Sequence, residues 1–598
     1  MNKNKNILIC TPLNKLIPRE KENVLIFPPN LVSNSVVSFF RTFKYKEPKY
    51  RWNDKSLISE DYIYLNKFYE QSLDDLSDSL NDFHKKKYSK RFWRILIGPW
   101  LASILFILFE RYHAIKSCYK SFKIDQINFL KFNNETDLIP NEMNDYTDFL
   151  ENTAWNQDLY QEIISNFYTD KKIIYVDKLT TKNIFSAYSD KTFKESIKKK
   201  HAKSKVNHIL TKISNLLPTN RFYNYFLSST HLGMFDELKL SLKLKQFPIF
   251  YDKKKLLFLS KIDLKNRNEI SQKNTLNSEF EKILFKIAIN KIPKCFLEEF
   301  ANLYKTSNNA NYPKNPKVIF SSNFLWQDAV AMCYSATKIE NGTKLIYGQH
   351  GGSYGVNKVT FSEDHEIKIS DKYISWGWKD KNSNKKIVNL GIITNRNKIL
   401  RKKNSNKLLI ILRIVKKYFH LMQSGTSTEQ SKDYISYCTN LFNNLSSEVK
   451  KNSILRLQTN AYKNEILKDF KKENGELRLS NSTFWSDCKN SKLIVNTCNS
   501  TPFLQTLSFN LPSIVIWNKC NEPIRNDAIN YMDLLHKNKI LFYDPKKAAK
   551  FINKIWKNEI NEWWLNNKTQ YAIQKFTDVF SKRNDSILSH LEDQIKNY

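Results

Sequence analysis

Residues 344–355 read Lys344-Leu345-Ile346-Tyr347-Gly348-Gln349-His350-Gly351-Gly352-Ser353-Tyr354-Gly355. A short apolar run, expected to form a buried strand, leads into eight residues that hold four of the chain's 11 glycines. Glycines crowded just past a strand end mark backbone that turns sharply or lets another group come close. Gln349 and His350 place an amide and a proton carrier in the same turn. Two readings stand side by side: a tight turn with an incidental histidine, and an active-site loop.

Working outward, the same text recurs. Short apolar runs at 172–177, 247–251, 318–322 and 373–378 flank the loop, with helical stretches between most of them. Strands alternating with helices predict parallel βαβ units. A stretch rich in Lys, Asn and Arg follows, and a second alternating set begins: runs at 408–415, 454–458, 493–496, 513–517 and 540–543, with helical patterns at 433–445 and 528–536. Ahead of the first set come a strand at 23–27 and a helical region at 55–130. The last fifty residues read as helix and carry Trp556, Trp563 and Trp564. The expected fold is α/β: two Rossmann-like domains at 1–390 and 407–545, joined by a linker at 391–406. A helical N-terminal insertion and a C-terminal helical segment, 546–598, crossing back over both complete it. That is the organisation of a GT-B glycosyltransferase.

Composition narrows the partners. The formal net charge is +37, from 96 Lys and Arg against 59 Asp and Glu. The excess is mostly lysine, spread along the chain with local clusters at 84–91, 198–205 and 253–255, and no nucleic-acid-binding motif accompanies it. Dedicated nucleic-acid binding is therefore not expected. Anionic small molecules such as nucleotide-sugars, or a surface of acidic lipid, suit this charge better. Eight cysteines without a CxxC pair fit a reducing compartment, and the expected location is the cytoplasm, at the inner face of the membrane. The uncharged run 95–109 spans fifteen residues, short of the ~20 that cross a bilayer core. With Pro99 in its first turn, it reads as a buried helix; peripheral attachment through it is the alternative.

Three constellations carry candidate chemistry. The first joins the glycine loop to Glu363, Asp364, His365 and Glu366, and then to Asp371 and Trp376-Gly377-Trp378. His350, Glu363, His365 or Glu366 is the candidate base for an acceptor hydroxyl or the group that assists a leaving phosphate. Set against that is a plain solvated turn at 363–366. The second is Asn499-Ser500-Thr501, after the 493–495 strand and before a helix opening near Pro502. Its hydroxyls and helix N-terminus offer a phosphate site, with Gln505 one turn in. An ordinary capped helix is the competing reading. The third is weaker: Gly425 and Thr426 in a hydroxyl-rich loop, and Arg456 as either a phosphate ligand or an ion-pair residue. Gln349, Gly351 and Gly352 join the donor-binding set. No metal-ligand cluster or DxD pair stands out, so catalysis is expected to need no metal and no cofactor beyond the nucleotide-sugar co-substrate.

Segments 88–101 (YSKRFWRILIGPWL), 348–355, 369–378 (ISDKYISWGW), 499–501 and 562–564 (EWW) occur together in this order. They resemble a family of transferases from bacterial O-antigen and other surface-carbohydrate gene clusters. The resemblance covers residues 55–582, and residues 1–50 diverge from it. It implies a glycosyltransferase of O-antigen or capsule-type polysaccharide that uses a lipid-linked or oligosaccharide acceptor. The 499–501 turn with 511–515 is similar to the donor edge of Kdo and sialic-acid-type transferases, which implies a CMP-linked ulosonic acid as donor. Ser500 and Thr501 would then meet the donor phosphate. Two alternatives stand: an enzyme that transfers a polyol phosphate from a CDP-linked donor, and a non-catalytic scaffold of polysaccharide assembly at the membrane.

Overall fold

The computed structural model describes the chain except residues 1–4, 19–22, 30–42, 133, 170–171, 180–222, 247–255, 380–385, 395–401, 403–404, 414–415, 417, 424–427, 458–477, 519–522 and 558. The strand expected at 247–251 and the loop carrying Gly425 and Thr426 lie outside the described residues.

Among the described residues three five-stranded sheets form, and every strand pair in them is parallel. The middle sheet runs Ile387–Asn389, Lys372–Ser375, Lys344–Gly348, Val318–Ser321, Tyr225–Leu227 across its width. The C-terminal sheet is ordered Ser453–Leu457, Leu408–Leu412, Leu493–Asn496, Ser513–Ile516, Leu541–Phe542. Leu408–Leu412 is buried at all five positions, as a strand covered on both faces requires. The chain reverses direction across this sheet between Leu408–Leu412 and Leu493–Asn496, a switch point beyond whose carboxyl ends α/β folds place ligands.

The α/β class with parallel sheets is as the pattern predicts, but the first 180 residues hold a third sheet. It is ordered Lys44–Lys46, Val24–Ile26, Asn6–Leu8, Gln126–Phe132, Ile173–Leu179. The run at 172–177 therefore pairs with the N-terminal strands, not with the middle sheet. Val24–Ile26 is the strand expected at 23–27, whereas Asn6–Leu8 and Lys44–Lys46, three residues each, are too short for alternation to announce them.

Helices Lys55–His84 and Lys90–Ser121 fill the centre of the molecule. Asp54 and Ser89 cap their first turns, accepting from the Ser56 and Phe92 N–H groups at 3.0 and 3.2 Å. Lys90–Ser121 is long and apolar enough to cross a membrane, yet its whole apolar stretch is buried inside the protein. It packs on Lys55–His84, Glu279–Asn290, Ala329–Glu340 and Phe361–Ile369. Burial of each large apolar side chain there is worth ~1.5–3 kcal/mol, which favours one packed arrangement. The run 95–109 is thus a core helix, and attachment to lipid through it is corrected: it has no surface to offer. Pro99 lies well inside a continuous helix, not in its first turn.

The expected linker is also partly core. Just ahead of it, Ile387–Asn389 adds an edge strand to the middle sheet, and within it the Gly391 N–H donates to Ser375 O at 3.1 Å. Ile392 and Ile393 are buried. The C-terminal segment crosses back as expected. Helix Asn567–Phe580 packs on Thr501–Ser508 and Asn526–Lys537, and Ile587, Leu588, Leu591 and Ile595 cover the middle sheet at Val318, Phe320, Ile346 and Ile374.

Candidate functional site

The 348–355 loop leaves the carboxyl end of Lys344–Gly348 and is pressed against the turn that follows Leu493–Asn496. The Gly352 N–H donates to Thr501 Oγ1 at 2.9 Å, and Ser353 Oγ donates to Asn499 O at 2.8 Å. A Cβ on Gly352 would sit 2.3 Å from the Ser500 carbonyl carbon, so only glycine permits this approach. Gly355 has φ +72°, and a Cβ there would enter the Trp378 ring at 2.4 Å. The seam continues beyond the loop: Lys358 N–H donates to Pro523 O and Arg525 N–H to Val356 O. The two sheet edges therefore meet as one surface at this point.

Gln349 is wholly buried and builds the loop. Its Oε1 accepts from Trp376 N–H at 2.9 Å and Trp378 Nε1 at 2.8 Å, and its Nε2 donates to Gly351 O at 2.8 Å. Its amide, expected among the donor-binding groups, is turned inward and ties the loop to the 376–378 turn.

The four candidate bases separate sharply. His350 alone reaches the surface, with 23% of its side chain exposed. Its Nδ1 lies 3.5 Å from Glu366 Oε1. Glu366 is fully buried and accepts from Trp326 Nε1 (3.2 Å), Tyr354 OH (3.1 Å) and Tyr373 OH (3.2 Å). Burial raises the Glu366 carboxyl well above the usual range despite these donors. Burial also lowers His350 to about 4, His231 adding to the effect and the Ser322 backbone opposing it. His350 is therefore neutral near pH 7 and free to accept a proton, while burial disfavours charge on Glu366.

Glu363 and His365 are both buried in helix Phe361–Ile369. Glu363 accepts from Gly355 N–H at 2.6 Å and forms an ion pair with Arg525, so it bolts the end of the loop to the C-terminal sheet's side. Burial pushes its carboxyl up to about 7 against the pull of Arg525. His365 is 1% exposed, facing Gly98 of the central helix and stacked on Phe361 with ring centres 5.7 Å apart. Neither of its nitrogens has a hydrogen-bond partner among the described residues. Helix Phe361–Ile369 buries Glu363, His365 and Glu366, where the sequence left a solvated turn open.

On the other side, Ser500 is the N-cap residue of helix Thr501–Ser508, but its hydroxyl does not bond to the helix. Asn499 is buried; its Nδ2 donates to Asn357 Oδ1 at 3.3 Å and its Oδ1 has no partner among the described residues. Gly351 lies beside Thr501, 3.5 Å from a Cβ position to Oγ1. Tyr434 ties the switch point together: its hydroxyl lies 2.5 Å from Thr497 Oγ1 and accepts from Arg413 N–H at 2.8 Å. Gln505 Nε2 instead donates to Thr394 Oγ1 at 2.9 Å. Arg456, on the edge strand, pairs with Asp487 at 2.7 Å and donates to Ser482 O at 2.8 Å. This is the ion pair that the sequence offered as one of two readings for Arg456.

Sequence reasoning missed Tyr434, Arg413 and the hydroxyls around Glu366, since nothing local marks a tyrosine that will meet a distant strand end. Among the described residues no group of three or more His, Cys, Asp or Glu is placed to hold a metal ion.

No curated protein matches the sequence. Among solved structures, Anabaena Alr3699/HepE in complex with UDP and glucose aligns at 9% identity and TM-score 0.34, covering 62% of this chain and 99% of that one. Acinetobacter baumannii MurG aligns at 11% and 0.31, covering 65% and 96%. The wall teichoic acid polymerase TagF aligns at 12% and 0.32, covering 69% and 98%. A family model settles the kinship. It runs over residues 6–595, taking in the start that the resemblance leaves out, and the chain belongs to the LIC12162 family of transferases.

Proposed function

We propose that this transferase is a glycosyltransferase of bacterial surface polysaccharide, O-antigen or capsule, that moves a sugar from a nucleotide-activated donor to a glycan hydroxyl. The observation that carries the reading is the contact between the His350 loop and the Asn499–Thr501 turn, through the 2.9 Å bond from Gly352 N–H to Thr501 Oγ1. It sets a neutral imidazole beside a hydroxyl-lined helix N-terminus at the ends of two parallel sheets. His350 takes the proton of the acceptor hydroxyl as that oxygen attacks the anomeric carbon. The bond from that carbon to the donor phosphate breaks, and its electron pair leaves with the nucleotide. The Ser500 hydroxyl, Asn499 and the N–H groups opening helix Thr501–Ser508 receive the developing charge. Glu366 lies behind His350, 3.5 Å from its Nδ1, and lines the buried side of the ring. A CMP-linked ulosonic acid suits this turn because its single phosphate needs no second anion site. The lysine-rich surface favours work beside an anionic membrane face.

The test is a panel of CMP, UDP, GDP and CDP compounds read by thermal unfolding. A ligand that binds only the folded chain at 100 times its Kd adds ~2.7 kcal/mol of stability. Stabilisation by one nucleotide class, and release of that nucleotide from its sugar ester, is the expected result. A flat panel overturns the reading. A phosphodiester product would make the enzyme a polyol-phosphate transferase instead.

A further inference from the structure

A second histidine stands at the mouth of the His350 site. His231 follows strand Tyr225–Leu227, the neighbour of Val318–Ser321 in the middle sheet, and so emerges at the same carboxyl edge as His350. It is exposed, and its ring centre lies 5.6 Å from that of His350. The turn that carries it is strained: Ser229 and His231 both have left-handed backbone, at φ +48° and +60°. Strain of this kind persists only where surrounding structure over-determines it, and here the restraints are visible. Ser322 N–H donates to Ser229 O at 3.0 Å, and Ser322 Oγ donates to Thr230 O at 3.0 Å. Thr230 Oγ1 in turn donates to Glu237 Oε2 at 2.5 Å and accepts from Leu232 N–H at 3.3 Å. Ser322 also interacts through its backbone with the His350 ring, so one residue holds both histidines in register.

Resting on the transferase reading above, we propose that His231 is a positioning residue of the His350 site, set on its strained turn to steer the attacking hydroxyl onto the His350 ring and to keep that ring unprotonated. Two imidazoles this close resist carrying two protons, because each charge disfavours the other. The groups facing His350 are Glu366 from helix Phe361–Ile369, Tyr354 from its own loop and His231 from the 228–232 turn. Burial disfavours charge on the first two, and His231 is the basic neighbour that competes for a proton.

The experiment is histidine 13Cε1 NMR of the full chain over pH 4–8, with His350 assigned by its loss in His350→Ala. Replacing His231 by Asn should move the His350 midpoint up toward the ordinary histidine value; an unmoved midpoint overturns the proposal, whatever the enzyme transfers. In parallel, nucleotide release is followed against pH with the donor found by the panel. His231→Asn should shift the acid limb to higher pH and lower kcat/KM for a glycan acceptor by ~10-fold or more, while release to water changes less. Equal loss in both assays, with no pH shift, would mean a merely structural residue. Failure of the transferase reading shows separately, as no nucleotide release by the native chain.

Discussion

The 348–355 loop and helix Phe361–Ile369 are six residues apart in sequence, and each carries a histidine among polar neighbours. The structure gives them opposite tasks. The loop spends its glycines on an approach that closes against the Asn499–Thr501 turn, and it leaves His350 at the surface. The helix turns Glu363, His365 and Glu366 inward, where they brace the loop, fill the core beside Gly98 and back the His350 ring. Composition alone cannot rank such groups: a titratable side chain becomes a reaction-centre candidate by what it faces, and the same helix can supply support without touching substrate.

That contrast can be broken by substitution. His350→Ala should cut sugar transfer by ~10²–10⁴-fold, the range of a lost general base, with the unfolding midpoint little changed; measured rates with circular dichroism decide it. Gly352→Ala forces a methyl into the Ser500 backbone, and overpacking of this kind costs ~1–3 kcal/mol, so both the denaturant midpoint and turnover should fall. His365→Leu removes an unpartnered buried imidazole and should leave turnover near the native rate. Its effect is on pH dependence. Burial lowers His365 from 6.5 to about 3, so below pH 6.5 the unfolded chain binds a proton that the folded chain refuses. Stability is full above 6.5 and falls as pH drops toward 3, by up to ~1.4 kcal/mol per pH unit from this group. The Leu variant should show a shallower loss in urea titrations between pH 6.5 and 4. An unchanged slope would place a proton on His365 in the native fold.

Much of this arrangement was legible beforehand. Glycines as sparse as these made the 348–355 loop conspicuous, and the strand-to-helix junction at 493–501 announced the turn that meets it. The parallel α/β pattern followed from apolar runs alternating with helical spacing. What escaped depended on distance in the chain. The three-residue strands at Asn6–Leu8 and Lys44–Lys46 flank the expected strand Val24–Ile26 at separations of 18 to 20 residues, so no short window contains their pairing. Gln349 looked like a ligand because its partners, the Trp376 and Trp378 N–H groups, are recruited by the next strand crossing. Arg456 and Gln505 met Asp487 and Thr394, partners that no spacing rule connects to them. His231 lay outside every cluster because its neighbour is more than a hundred positions away.

Amide hydrogen exchange, with and without the nucleotide-sugar that stabilises the fold, addresses the joint site most directly. Peptides spanning 349–358 and 497–505 should slow together on binding, because the loop and the turn close on one ligand. Protection confined to the N-terminal sheet, or to only one of these two segments, would contradict a reaction centre built where the two sheet edges meet.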